Sequence, residues 1–298
     1  MNNMRLKGIF PPMITPFKEN GEVDYEAFTY NVKKWEKTDM DGLLVLGSNS
    51  ETPFLREDEK LKLIELTVKY AGDKVVMCGT GMETAKDTID LTNRAADLGA
   101  DCALILTPCF YDAAMKTPAL LEYYTTVADH VSIPILVYNV PKFTHVNVGA
   151  DLISQLAKHP NIIGMKDSSG DMPQFATFKR VTAGEDFSIF VGTASALYPA
   201  LALGAAGGIL ALANCNPEEC VEVYKKYGKG DMEGALKTFQ RVFPINTAVT
   251  ATYGIAGLKH ACTVQGYCGG FVRKPLMELA NENKRAVEEI LSTAKRPE

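Results

Sequence analysis

The chain has 298 residues, 46% of them hydrophobic and 22% charged, the composition of an ordinary globular protein. Its net charge of -5 gives no reason to expect a nucleic acid or an anionic membrane as a partner. Seven cysteines, an odd number without a CxxC pair, argue against a disulfide framework. With an N-terminus too polar and short for a secretory signal, they point to the cytoplasm.

Apolar runs and amphipathic stretches alternate along the chain. The first run, residues 8–15, precedes Asp24, which can cap a helix carrying Phe28, Val32 and Trp35 on one stripe. A second run, 43–46, precedes a helix with Leu61, Ile64 and Val68 aligned. After the run at 75–78, Thr84 and Asp87 resemble a capping box, and that helix ends at Gly99. Further runs fall at 103–106, 135–138, 162–166, 188–191 and 208–212. None alternates with period 2, so each predicts a strand buried on both faces. Gly72, Gly99 and Gly204 sit where helices stop. The phrase Leu-Gly-Ala recurs at 98–100 and 203–205, as a repeated βα unit would produce.

Residues 196–213 are almost wholly apolar and as long as a membrane span. Pro199, Gly204, Gly207 and Gly208 divide them into a buried helix, a glycine stop and a buried strand. Beyond Asn214 the pattern is helical, at 217–227, 232–243, 254–263 and 276–291. Eight alternating units predict an α/β fold, a closed (β/α)8 TIM barrel over 1–228, with a small C-terminal helical extension over 229–298, all in one domain.

In such barrels the site lies at the C-terminal ends of the strands. Lys166 stands out there, because it ends the continuous apolar run 162–166. An ammonium in that place loses part of its hydration, which frees the amine to attack a carbonyl. The plainer alternative is a strand-capping lysine paired with Asp167. Tyr138 ends the preceding strand and is placed beside Lys166. It is either a proton shuttle or a buried tyrosine bonded to a backbone carbonyl. Ser48 and Asn49, after the second strand, can hold a substrate carboxylate or simply make a turn. Ser168, Gly192 and Thr193 follow the sixth and seventh strands and are further candidates for substrate contact.

The four histidines, His130, His145, His159 and His260, lack metal-ligand spacing, and there is no GxGxxG or Walker motif. Amine catalysis is therefore expected, with no metal and no other cofactor beyond a covalent imine on Lys166.

These residues carry a resemblance. The chain resembles the dihydrodipicolinate synthase / N-acetylneuraminate lyase family of class I pyruvate aldolases from about residue 8 to residue 276. The markers are Gly47-Ser48-Asn49-Ser50-Glu51, Thr107-Pro108, Tyr138-Asn139-Val140-Pro141 and Gly164-Met165-Lys166-Asp167, with Tyr138 and Lys166 at the family's spacing. The resemblance implies a Schiff base between pyruvate and Lys166. It makes Tyr138 the proton donor and acceptor. By the same resemblance Ser48 and Asn49 would bind the carboxylate, Ser48 would also join the proton relay, and a backbone group of Ile209 would contact pyruvate. It further implies a homotetramer taking a 2-oxo acid and an aldehyde.

Departures refine the expectation. Phe143 stands where dihydrodipicolinate synthases carry an arginine for the second substrate's carboxylate, which disfavours that activity. The sequence is most similar to 4-hydroxy-2-oxoglutarate aldolases, through the block from His159 to Ser168 and the stretches around Ala248-Val249-Thr250 and Gly257-Leu258-Lys259. The expected reaction is therefore reversible cleavage of a 4-hydroxy-2-oxo acid, of the 4-hydroxy-2-oxoglutarate or 2-keto-3-deoxy sugar acid type. Rivals are dihydrodipicolinate synthase, N-acetylneuraminate lyase, an imine-dependent dehydratase and a non-catalytic pyruvate-binding protein. Phe110 stands where most of the family has a tyrosine that reaches a neighbouring subunit's site and relays protons; the adjacent Tyr111 could substitute, but its side chain is expected to point elsewhere. Ser50 replaces a usual glycine.

Overall fold

A computed structural model of the chain describes residues 6–294; most of the polar N-terminal stretch, residues 1–5, and residues 295–298 lie outside the described residues. Eight parallel strands form the centre: β1 Gly8–Phe10, β2 Gly42–Val45, β3 Val75–Gly79, β4 Cys102–Leu106, β5 Ile135–Asn139, β6 Ile162–Asp167, β7 Ser188–Val191 and β8 Gly207–Ile209. They pair in the order β1-β8-β7-β6-β5-β4-β3-β2. The ring closes where Pro12 bridges Leu44. The Leu44 N–H donates to the Pro11 carbonyl (3.0 Å), and the Met13 N–H donates to the Leu44 carbonyl (2.9 Å).

Two strands are shorter than the sequence suggests. β1 stops at Phe10 because Pro11 and Pro12 have no N–H for a ladder. β8 stops at Ile209, and the chain turns into the 3-10 segment Ala211–Asn214. Asn214 there accepts from the Ile14 N–H (3.1 Å) and donates to the Pro12 carbonyl (3.0 Å), tying the end of the ring to its beginning.

Successive strand residues point to opposite sides. Phe10, Leu44, Met77, Leu104, Leu136, Tyr138, Phe190 and Ile209 fill the barrel interior. Val45, Cys78, Ile105, Val137, Met165 and Ile189 pack outward in the larger core shared with the helices. Both sides are apolar, which is why the strands lack a period of 2.

The helices are α1 Tyr25–Glu36, α2 Glu57–Tyr70, α3 Ala85–Asp97, α4 Thr117–His130, α5 Pro141–Thr144, α6 Ala150–Leu156, α7 Met172–Val181, α8 Leu197–Ala202, α9 Pro217–Gly228, α10 Met232–Thr247, α11 Gly254–Val264 and α12 Asn281–Thr293. Asp24 caps α1 through the Ala27 N–H (3.0 Å), and Phe28, Val32 and Trp35 are fully buried. The buried face of α2 is Lys60, Leu63, Ile64 and Thr67 rather than a stripe through Leu61 and Val68, which are half-buried. Thr67 fits that face by donating its hydroxyl back to the Leu63 carbonyl (2.7 Å). The apolar stretch 196–213 divides into α8, a stop at Gly204 and β8. Among the described residues no helix is long and apolar enough to cross a membrane.

The C-terminal helices differ from expectation in two places. Between α10 and α11 the chain forms a π-helical turn, Ala248–Thr252, closed by an i→i+5 bond from the Tyr253 N–H to the Ala248 carbonyl (2.9 Å). α12 begins at Asn281 instead of residue 276. Upstream, side chains take the backbone donors: Val272 N–H donates to Glu278 (2.8 Å) and Arg273 N–H to Glu51 (2.8 Å).

Candidate active site

Lys166 and Tyr138 are Cα partners across β5 and β6, so the pleat sends both side chains to the barrel interior. Both are buried, and Lys166 Nζ lies 4.2 Å from the centroid of the Tyr138 ring. Asp167, one residue on, points to the other side of the strand. It accepts from Asn139 Nδ2 (2.8 Å) and Ser169 Oγ (2.7 Å), so Lys166 does not serve to pair with it. Burial raises the Asp167 carboxyl above its usual range against the lowering effect of those hydrogen bonds.

Burial also pushes the Tyr138 phenol up, but a larger combined pull acts the other way. The Lys166 charge and hydrogen bonding from Ser48, Ser168 and Lys166 leave it below the ordinary tyrosine value. The Ser48 and Tyr138 oxygens are 3.4 Å apart. Ser168 Oγ is buried near Tyr138 without a hydrogen bond of ordinary geometry, close enough to favour the phenolate and with capacity left for a bound molecule. Gly192 makes room for it: a Cβ on Gly192 would stand 1.8 Å from Ser168 Oγ.

These groups open into a cavity of about 630 Å³. Asn49, Tyr138, Phe143, Lys166, Ser168, Gly192 and Thr193 all line it. Ser48 reaches it through Tyr138. Ile209 lies in the barrel interior, in the same apolar cluster as Tyr138, and is not part of the lining. Phe110 and Tyr111 stand apart: they pack edge to face (5.0 Å) on a surface loop, 77% and 71% exposed. Glu83 holds that loop by accepting from the Cys109 and Phe110 N–H groups (3.1 and 3.0 Å). Burial, with the Glu83 carboxylate adding to it, pushes the Cys109 thiol up to about 11, which suits a structural rather than a nucleophilic thiol.

The turn that carries Ser48 and Asn49 is a 3-10 segment, Ser48–Ser50, flanked by two left-handed non-glycine residues, Leu46 (φ 60°) and Glu51 (φ 56°). Such backbone costs of order 1 kcal/mol per residue or more and persists where surrounding contacts fix it. Ser50 itself is not left-handed. It is buried and donates its hydroxyl to the Met13 carbonyl (2.6 Å), so a glycine's freedom is not needed there.

Sequence reasoning missed most of the far wall. Lys142, Ser195, Val249, Thr250 and Tyr253 line the cavity, brought in by α5, the loop after β7 and the π-helical turn. Thr193 is positioned by Ser195 (3.0 Å) and by Asn246 Nδ2 (3.3 Å). Lys142 and Lys166 are the charged residues of the lining, and neither Asp nor Glu belongs to it, so the cavity favours anions. Among the described residues no three His, Cys, Asp or Glu side chains are grouped as metal ligands.

The chain matches the Dihydrodipicolinate synthetase family over residues 5–294. It is 32% identical over 293 residues to a 4-hydroxy-tetrahydrodipicolinate synthase of Haloarcula marismortui, covering 98% of this chain and 95% of the relative. The crystal structure of dihydrodipicolinate synthase from Aquifex aeolicus superposes with a TM-score of 0.91 at 34% identity, covering 96% of this chain and 97% of that one. The chloride-inhibited enzyme of Acinetobacter baumannii, complexed with pyruvate, superposes with a TM-score of 0.92 at 26% identity, covering 97% and 98%. The chain therefore belongs to the dihydrodipicolinate synthetase family and is a lyase of the class I aldolase type.

Proposed function

We propose that this member of the dihydrodipicolinate synthetase family binds pyruvate as an imine on Lys166 and joins it to, or releases it from, an aldehyde. The observation that carries the reading is the register pairing of Lys166 with Tyr138 at the head of an anion-favouring cavity. Lys166 Nζ attacks the C2 carbonyl of pyruvate, and water leaves with a proton delivered through Tyr138. Ser48 passes protons to Tyr138, and Ser48 and Asn49 hold the carboxylate. Ser168, Gly192 and Thr193 line the pocket around the adduct, and Ile209 supports it from the barrel interior. Loss of a C3 proton converts the iminium to an enamine, which attacks the aldehyde carbon; the reverse sequence cleaves the C3–C4 bond. The iminium is the electron sink, so the chemistry draws on no metal or nucleotide. The exposed pair Phe110 and Tyr111 suits burial against a neighbouring subunit, in keeping with a homotetramer.

The names of the relatives favour aspartate semialdehyde as the aldehyde, hence the synthase reaction. Phe143 gives a distal carboxylate no ion pair, which argues against the synthase reaction and, among 4-hydroxy-2-oxo acids, favours the second reading in the form of a 2-keto-3-deoxy sugar acid, whose aldehyde fragment carries no carboxylate. Lys142, beside it on the lining, supplies a cation to either substrate. Purified protein and a Lys166→Ala variant should be given pyruvate with aspartate semialdehyde, and separately 4-hydroxy-2-oxoglutarate, 2-keto-3-deoxygluconate and N-acetylneuraminate. Lysine-dependent turnover of the first pair alone supports the synthase; lysine-dependent pyruvate release from one of the others supports the aldolase. Pyruvate binding without turnover of any would leave a non-catalytic binding protein.

A further inference from the structure

Glu51 ends the turn that carries Ser48 and Asn49, and its carboxylate is completely buried. It is held between two groups from the C-terminal region. Lys259 Nζ on α11 lies 2.5 Å from Glu51 Oε1, a close charge contact without ordinary hydrogen-bond angles. The Arg273 N–H donates to Glu51 Oε2 (2.8 Å). Lys259 also donates to the Phe271 carbonyl (2.5 Å) and sits 4.5 Å from the centroid of the Phe17 ring. Arg273 lies 4.4 Å from the same ring, forms a two-pronged pair with Glu59 of α2 (2.7 and 2.6 Å) and donates to the Phe54 and Gly21 carbonyls.

Such a buried pair is a poor device for stability. Removing both charges and keeping the shape is often neutral or stabilising, because the desolvation cost cancels much of the attraction. What the pair does fix is geometry. It holds Glu51 left-handed (φ 56°, ψ 37°), and so sets the direction in which the preceding turn presents Ser48 and Asn49. It also fastens that turn to α11, whose Gly254, Ile255 and Ala256 line the opposite wall of the cavity.

We propose that Glu51 and Lys259 are positioning residues: the ion pair sets the carboxylate-binding turn against the C-terminal wall, so that the C-terminal helices take part in binding the 2-oxo acid. The proposal rests on the pyruvate reading above. The test uses the full chain as wild type, Lys259→Arg and the charge-free double variant Glu51→Gln/Lys259→Met. Each is followed by thermal unfolding and by borohydride trapping of the Lys166 imine over a range of pyruvate concentrations.

The double variant is expected to fold cooperatively, to label Lys166 at saturating pyruvate, and to need about tenfold more pyruvate for half-labelling, the equivalent of one misaligned hydrogen bond. Lys259→Arg, which keeps the charge, is expected to recover most of the loss. A folded double variant with the wild-type concentration dependence would overturn the proposal. A double variant that cannot fold would also overturn it, by assigning the pair to stability. Unlabelled wild-type protein would overturn the pyruvate reading, and the proposal with it.

Discussion

Gly192→Ala is the most informative small change near the site. A Cβ there would lie 1.8 Å from Ser168 Oγ, 2.8 Å from Ser168 Cβ and 3.0 Å from Ser168 Cα. Rotating the serine hydroxyl away removes only the first contact, so the ends of β6 and β7 must separate. The Gly192 N–H donates to the Asp167 carbonyl (2.7 Å), and that bond resists the movement. Overpacking of this kind costs about 1–3 kcal/mol, a fall in melting temperature of about 2–6 °C for a chain of this size. The larger effect is expected in catalysis. Lys166 lies two residues before Ser168 on the same chain segment, and displacing a reacting group by 1 Å costs about 10²-fold in rate. Thermal unfolding and lysine-dependent turnover would be followed in Gly192→Ala, Ser168→Gly and the double variant. Ser168→Gly removes the two closest contacts, so the double variant should regain most of the lost stability while still lacking the hydroxyl that faces Tyr138. Wild-type stability and rate in Gly192→Ala would refute the geometry, and so would a double variant no more stable than Gly192→Ala.

Two further outcomes are expected. Ser48→Ala removes a hydrogen bond that lowers Tyr138, so the Tyr138 phenol should titrate at higher pH, seen as a late ultraviolet phenolate signal absent from Tyr138→Phe, and turnover should fall about 10²-fold; an unshifted titration would contradict the coupling. Asn139→Ala strips the buried Asp167 of its 2.8 Å donor and leaves the Val148 N–H without its 3.1 Å acceptor, a loss of about 3 kcal/mol or more. The folded protein already holds the Asp167 proton more tightly than the unfolded chain, so ionised Asp167 opposes folding, and this penalty is relieved as pH falls through the folded value. Losing Asn139 raises that value further, so the deficit of Asn139→Ala in chemical denaturation should shrink between pH 7 and about pH 4. A deficit that grows toward low pH would contradict this assignment.

The fold was legible because barrel strands are covered on both sides and therefore read as short apolar runs, with glycines marking helix ends. Lys166 and Tyr138 were legible for the same reason: a polar group at the end of such a run stands out. What escaped depended on contacts distant in sequence. Nothing near Val249, Thr250 or Tyr253 says that a π-helical turn folds them over the mouth of the barrel. Glu51 and Arg273, 222 positions apart, meet only in three dimensions. Lys142 carries no sequence signal of its own, since a lysine on the short helix α5 reads as a solvated surface residue until the fold turns it to the cavity. The buried face of α2 is hidden in the sequence because Lys60 and Thr67 are polar by type: Thr67 is buried with its hydroxyl bonded back to the Leu63 carbonyl, and Lys60 is buried as well, while Leu61 remains half exposed. The apolar run 8–15 reads as one strand although Pro11 and Pro12 end it at Phe10, because hydrophobicity continues past the point where the ladder loses its N–H donors.

The central claim is that Lys166 carries an imine to a 2-oxo acid. It is tested most directly by treating the protein with pyruvate and borohydride and mapping the modified peptide by mass spectrometry. The expected result is one pyruvate-derived adduct on Lys166, absent without pyruvate and absent in a folded Lys166→Ala variant. No adduct on folded wild-type protein, or an adduct on another lysine that persists in Lys166→Ala, would contradict it.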